Sequence, residues 1–379
     1  MVGRGGFGKV FQAVDKLTNR HLTIKRQRVD DPAAGNEVAV FRMLQAFPHE
    51  NILAMSAHFI GKHNGEDYLY IATESCATSL LQVLALDSPR EQEKLLGPNM
   101  PQHYLLGVAM GLRRLHNHGM AHGDLSPANV LLTYQNEVKI CDFGTAFSAH
   151  AYVTRDKMCA AYIRPPEAVA GSQEKSKATD SWAVGVLGVA VFGREIPFLP
   201  PKNAENDEAW QRHAFFVAAK LLEVITEENW PGHNQLPKWH QLKEAYAAVS
   251  PKDTLFQYMA GLPKRCPIGE CMPPKEIVRK LLRWHPQERL GMQTLVEQLL
   301  GNFTFTQGSA SQIAAETEEH RDKKAKKRQR SPPASKMRSV PSKVVRRKSP
   351  EPGATAGKQE PGVTAMKQEP ASSESSDCH

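Results

Sequence analysis

The chain has 379 residues, 41% of them apolar, enough for about two domains and a sizeable core. Its six cysteines are scattered, and its longest apolar run, 182–192, is shorter than the roughly 20 residues that cross a bilayer. Composition therefore argues against a disulfide scaffold and a helical membrane protein, and points to a reducing cytosolic or nuclear setting. The net charge of +8 is uneven: residues 321–379 hold 15 Lys/Arg and 6 Asp/Glu, a charge of +9, which leaves −1 on the first 320.

The first stretch with chemical content is Val2-Gly3-Arg4-Gly5-Gly6-Phe7-Gly8-Lys9-Val10. Gly3, Gly5 and Gly8 fit G-x-G-x-x-G, and glycines let backbone amides approach phosphates. Gly3 to Lys9 also fits G-x-x-x-x-G-K, but Val10 stands where that loop needs Ser or Thr. A dinucleotide fold wants a helix next, whereas 10–14 reads as a strand. With almost nothing ahead of the glycines, the strand before them is expected to be nearly absent and the chain reads as truncated at its start.

Residues 21–25 read as the next strand and 36–44 as a helix. Lys25 and Glu37 are candidate ion-pair partners; the plainer readings are a solvated strand lysine and an exposed helix glutamate. Residues 68–73 read as a strand, and 101–118 as a helix with Leu105, Leu106, Ala109, Leu112 and Leu115 on one face.

The stretch Ala121–Gly144, AHGDLSPANVLLTYQNEVKICDFG, organises the rest. Val130–Thr133 and Glu137–Ile140 fit two strands of a hairpin. Asp124 and Asn129 precede it and Asp142 follows, so all three side chains can converge at its open end. Two acids and an amide held together can bind magnesium and orient a hydroxyl.

His122-Gly123-Asp124-Leu125, then Asn129, then Asp142-Phe143-Gly144, resembles the catalytic and metal loops of a eukaryotic protein kinase. The resemblance covers about residues 2–303. It implies that Val2 to Val10 cover the ATP phosphates and that Lys25, paired with Glu37, contacts the α- and β-phosphates. It implies a gatekeeper at Thr73 and a hinge at Glu74, Ser75 and Cys76, with Thr23 where a small alanine usually lies under adenine. Asp124 would take the substrate proton, while Asn129 and Asp142 hold Mg2+.

Three positions depart from the pattern. Gly123 replaces an arginine that commonly grips a phosphate on the activation segment; losing such a charge-assisted contact forfeits roughly 1.5–3 kcal/mol. Ser126 replaces a lysine near the γ-phosphate, and Ala160 a threonine that touches the catalytic acid. A weakened enzyme is expected, with a nucleotide- or partner-binding pseudokinase as the alternative.

Thr154 lies near the usual phosphosite. Tyr162-Ile163-Arg164-Pro165-Pro166-Glu167 resembles Y-x-R-A-P-E, and Arg164 suits the branch of cyclin-dependent and mitogen-activated kinases, which prefer proline after the target. Arg289 matches the usual partner of Glu167. Residues 221–226 and Trp230-Pro231-Gly232-His233 resemble an insert of cyclin-dependent kinases, although proline and glycine there can simply mark a loop. Cys266 and Cys271 lack the partners a zinc site needs.

Beyond 303, Ser, Pro, Glu and Lys dominate and apolar periodicity stops, so a disordered tail is expected. Basic runs at 323–330 and 346–348 look like nuclear import signals or nucleic-acid arms, or a silent solvated tail. Without interleaved aromatics, base stacking is not expected. Ser331-Pro332 and Ser349-Pro350 are candidate proline-directed sites, and 366–369 resembles a SUMO acceptor.

The expectation is an α+β, two-lobed protein-kinase fold: a small β-rich lobe (1–75), a larger helical lobe (76–303) and a basic tail (304–379). The expected activity is transfer of the ATP γ-phosphate to protein Ser/Thr, proline-directed, with Mg2+, no membrane and a nuclear location, the cytoplasm being the alternative. A cyclin-like activator is left open, because Lys25 to Glu37 lacks the sequence by which cyclin-dependent kinases dock cyclin on this helix.

Overall fold

A computed structural model describes residues 3–5, 8–96, 100–148, 160–174, 176–194, 196–198, 206–247, 255 and 272–301. All of these fall in one compact unit, Met1–Ala315. Val2, Gly6, Phe7, Thr154, Cys266, Cys271 and the tail motifs lie outside the described residues.

The N-terminal part is an antiparallel sheet of five strands in the order β1-β2-β3-β5-β4. Its strands are β1 (Gly3–Gly5), β2 (Gly8–Val14), β3 (His21–Arg28), β4 (Met55–His63) and β5 (Glu66–Glu74). The first strand, expected to be nearly absent, is present as three residues, with Gly3 opposite Val10 and Gly5 opposite Gly8. Gly8 lies at φ +150°, and a Cβ there would sit 2.4 Å from the Arg26 carbonyl oxygen, so the glycine lets the start of β2 run this close to β3.

Helix α1 (Pro32–Gln45) starts where Asp31 accepts from the Ala33 amide and Pro32 needs no hydrogen-bond partner of its own. Its buried stripe includes Val38, Phe41 and Leu44. The helix thus faces inward with the side that carries Glu37.

The helical part follows β6 (Thr78–Ser79), α2 (Leu80–Leu84) and α3 (Pro89–Leu95). At its centre α4 (Met100–Asn117) lies against α6 (Ala178–Gly193), which is apolar nearly all round and buried accordingly. Between them in sequence come β7 (Met120–Ala121), the hairpin β8 (Val130–Leu132) and β9 (Val138–Ile140), β10 (Phe147–Ser148) and α5 (Pro166–Val169). Then follow α7 (Asp207–Leu221), α8 (Trp239–Ala247), α9 (Met272–Leu281) and a last helix over 292–301. The 230–233 stretch is a loop, with Gly232 at φ +70°, but Trp230 is buried and stacks on Trp284 at 5.8 Å between ring centres. No helix of the described residues is long and apolar enough to cross a membrane.

The β8–β9 hairpin is one residue shorter on each strand than expected. The Thr133 hydroxyl accepts from the Gln135 and Glu137 amides, and Asn136 turns at φ +64°, so 133–137 becomes a closed turn. The hairpin seats on α4 because Gly107 and Gly111 let it come near. A Cβ at Gly111 would lie 2.5 Å from Ile140 Cδ1 and 2.8 Å from the Asn51 carbonyl. Gly111→Ala is therefore expected to destabilise the protein by about 1–3 kcal/mol despite the better helix propensity of alanine, read as a lower urea midpoint.

Candidate active site

Lys25 lies on β3 opposite Ile71 of β5 and Val10 of β2. Its ammonium is 2.8 Å from Glu37 Oε2 on α1 and 2.8 Å from Asp142 Oδ1. Burial works against the charge of Lys25, but the two carboxylates outweigh it and hold the ammonium above its ordinary range. Gln27 Nε2 donates to the same Glu37 oxygen at 2.6 Å. Sequence reading missed Gln27, although its place two residues along the strand from Lys25 puts it on the same face.

Asp142 occupies the left-handed region at φ 64°, ψ 71°, a turn that brings its side chain back toward Lys25. Phe143 behind it is fully buried, edge-on to Phe41 of α1 at 5.3 Å.

Asp124 and Asn129 form the second half. Asn129 Nδ2 donates to the Asp124 carbonyl at 2.7 Å and to Asp124 Oδ2 at 3.3 Å. The Cys141 amide donates to the Asn129 carbonyl at 3.0 Å, tying this loop to the residue before Asp142. Asp124 Oδ1 accepts from the Ala160 amide at 3.0 Å, so a backbone donor makes a contact at the position where a threonine was expected. Burial pushes the Asp124 carboxyl up to about 6; His122 opposes this and the charge of Asp142 adds to it.

The loop that carries Asp124 is held from below by Asp180 of α6, which is 1% exposed. Asp180 accepts from the backbone amides of His122 at 2.8 Å and Gly123 at 3.0 Å, and pairs with His116 Nε2 at 2.8 Å. Burial favours the neutral acid, but its bond to His116 and the nearby imidazoles prevail and keep the carboxyl below its usual range. His122 accepts from the Asp124 amide through Nδ1 and contacts the Cys141 carbonyl through Nε2 at 3.0 Å, which defines the Nε2–H tautomer. Gly123 turns at φ +75°, and a Cβ there would meet Phe147 Cε1 at 2.9 Å.

Farther along β5, Thr73 is buried opposite Thr23, and its hydroxyl is 3.4 Å from the Thr23 carbonyl. The Glu74 carboxylate accepts from the Ala54 amide and pairs with Lys139 at 3.2 Å, so its side chain is engaged. Among the described residues, no hydrogen bond uses the backbone of Cys76. Burial, with help from Glu74, raises the Cys76 thiol to about 11, which leaves it protonated and unreactive at neutral pH.

An antiparallel sheet over a helical body, with a lysine–glutamate pair, two loop carboxylates and an amide between them, defines a phosphoryl-transfer fold. The protein kinase domain family matches residues 1–300, so the chain belongs to the protein kinase family. It is an ATP-dependent serine/threonine kinase of the cyclin-dependent-kinase-like branch. It is 27% identical to cyclin-dependent kinase B1-1 of Arabidopsis thaliana over 309 residues, covering 78% of this chain and 93% of the relative. It is 30% identical to cyclin-dependent kinase 7 of Carassius auratus over 250 residues, 64% of this chain and 67% of the relative.

Among solved structures, it is similar to a chain of the yeast RNA polymerase II CTD kinase CTDK-1 complex (TM-score 0.62, 20% identity, 78% of this chain and 88% of that chain). A chain of the CAK complex of Chaetomium thermophilum bound to ATP-gamma-S gives TM-score 0.62 at 22% identity, covering 78% of this chain and 87% of that one. At these identities the two structures support the fold.

Proposed function

We propose that the groups around Lys25 and Asp124 are the machinery of this kinase, and that it acts on Ser or Thr followed by proline. One observation carries the reading: the Lys25–Glu37–Asp142 triad and the Asp124–Asn129 pair are linked through the Cys141–Asn129 backbone bond. The Lys25 ammonium has three N–H donors and two carboxylate partners, so one donor remains for phosphate oxygens. The backbone of Cys76 offers both a donor and an acceptor to adenine, beside Thr73.

The donor set fits magnesium. Asn129 commits its Nδ2 to Asp124, which leaves its Oδ1 as an acceptor, and Asp142 keeps carboxylate oxygen beyond its bond to Lys25. A hard cation takes oxygen ligands of this kind, usually completed by phosphates and water. When bound, it offsets the charge of the phosphate oxygens.

In the transfer step the substrate hydroxyl oxygen forms a bond to the γ-phosphorus. The bond from that phosphorus to the β–γ bridging oxygen breaks, and the hydroxyl proton passes to Asp124 Oδ. Lys25 and the flap amides hold the leaving diphosphate. Asp180 acts through the His122 and Gly123 amides to keep Asp124 in place.

The likeness to kinases of cyclin-dependent type supports a cyclin-like activator. The basic runs 323–330 and 346–348 support a nuclear location, and contact with nucleic acid through the same tail would be electrostatic and salt-dependent. Labelled γ-phosphate transfer to paired peptides, one Ser-Pro and one Ser-Ala, tests the reading. The parent is expected to prefer Ser-Pro, and Asp142→Asn to lower transfer about 100-fold or more, comparable to losing a positioned electrostatic group. Equal labelling of both peptides would reject proline direction, and transfer that survives Asp142→Asn would reject the site.

A further inference from the structure

Helix α1 reaches the site through two adjacent residues. Glu37 binds Lys25; its neighbour Asn36 does something the triad does not require. Asn36 Nδ2 donates toward three backbone carbonyls of the stretch that follows Asp142: Ala146 at 2.7 Å, Gly144 at 3.1 Å and Phe143 at 3.2 Å. An amide nitrogen carries two hydrogens, so three acceptors share two donors. The contacts close a circuit: α1 to β3 through Glu37–Lys25, β3 to the metal loop through Lys25–Asp142, and the metal loop back to α1 through Asn36.

Packing at the same seam is close. A Cβ at Gly144 would lie 3.1 Å from the Ala33 methyl, so small residues on both sides let the helix and loop touch. Phe41 and Phe143 meet edge to face one turn farther along. The seam carries no charge of its own on Asn36, and it joins the helix to the loop by hydrogen bonds that ionic strength does not screen.

We propose that Asn36 is the positioning residue that locks α1 against the metal loop, so that hydrogen bonds within this chain hold the Lys25–Glu37–Asp142 triad assembled. Without the amide, the direct hydrogen bonds from α1 to these carbonyls are lost, the Phe143 carbonyl keeping only the Ala146 amide of its own loop at 3.1 Å, and α1 is free to swing outward, taking Glu37 from Lys25. The proposal rests on the reading of the triad as catalytic machinery, but its first test does not depend on activity.

The full chain, treated with phosphatase and free of partners, is compared with Asn36→Ala and with Asn36→Leu, which keeps the bulk and lacks the donors. Amide hydrogen exchange without nucleotide is expected to speed up in α1 and over 143–147 by about tenfold or more, with α6 unchanged. Transfer is then measured in the parent, Asn36→Ala, Glu37→Gln and the double variant. Asn36→Ala is expected to lower kcat about 10- to 100-fold, in keeping with the loss of a donor to partly buried carbonyls. The double variant is expected to fall no more than about twofold below Glu37→Gln alone, because both changes break one arrangement. Unchanged exchange in both Asn36 variants, or losses that multiply, overturns the proposal. A parent that exchanges as expected but transfers no phosphate sinks the functional reading and leaves the lock standing.

Discussion

Asp124→Asn is expected to lower phosphoryl transfer by about 10²–10⁴-fold, the range of a positioned general base. The same change is expected to stabilise the fold. An asparagine keeps an oxygen for the Ala160 amide, and removes a charge that the surroundings resist. The carboxyl rises from an ordinary 3.8 to about 6, first through burial and then through Asp142, partly relieved by His122. Between those two values the native state binds the extra proton, so stability of the parent falls as pH rises.

The cost of the charged form is absent below about 4 and complete above about 6. Allowing for partial exposure and for the coupling to Asp142, Asp124→Asn should gain on the order of 1–3 kcal/mol at pH 7 and nothing at pH 3.5. Urea midpoints across that range measure it. In kcat/KM the parent should lose activity on the acid side with a midpoint near 6, since protonated Asp124 accepts nothing, and Asp124→Asn should lack that limb. A variant that is inactive and less stable at every pH would mean that Asp124 is a structural acid.

Glu167 and Arg289 give the largest expected effect on stability. Arg289 uses all five of its N–H donors: two on Glu167 at 2.7 and 2.6 Å, and one each on the carbonyls of Arg283, Ala178 and Trp284. Its guanidinium also lies 5.1 Å from the Trp182 ring centre, in the middle of the aromatic core. Glu167→Ala would leave a buried cation facing empty space and should cost about 3–5 kcal/mol. Arg289→Lys keeps the charge but cannot make the forked pair or reach three carbonyls at once, so it should recover little of that loss. Replacing both by apolar residues of similar size should cost less than Glu167→Ala, because no unpaired charge remains. Urea unfolding of the four proteins reads these outcomes directly.

Much of the site was legible because its chemistry is local. Asp124, Asn129 and Asp142 stand within nineteen positions of each other, and a short hairpin brings their ends together. Alternation and helical periodicity located β2, β3, α1, β5 and α4 to within a few residues, since each element buries one face. Errors fell at the ends. A threonine turn shortened the hairpin, and the first half of the glycine stretch, Gly3–Gly5, forms a three-residue strand, because pairing with β2 stabilises residues whose own preference for a strand is weak.

What no local pattern shows is which distant groups meet. That Glu167 would find Arg289 came from resemblance, and the use of all five guanidinium donors appeared only in the folded chain. Asn36 reads as an ordinary helix asparagine, Gln27 falls beyond the strand expected over 21–25, and Gly111 reads as a glycine inside a helix. Each acquires its meaning from a neighbour far along the chain: three carbonyls after Asp142, the Glu37 carboxylate, the Ile140 side chain. The residues proposed for the chemistry were thus marked by their order and spacing. Those that hold the chemistry in place were decided by tertiary packing, because a hydrogen bond or a close contact has two partners and the sequence around one of them carries no mark of the other.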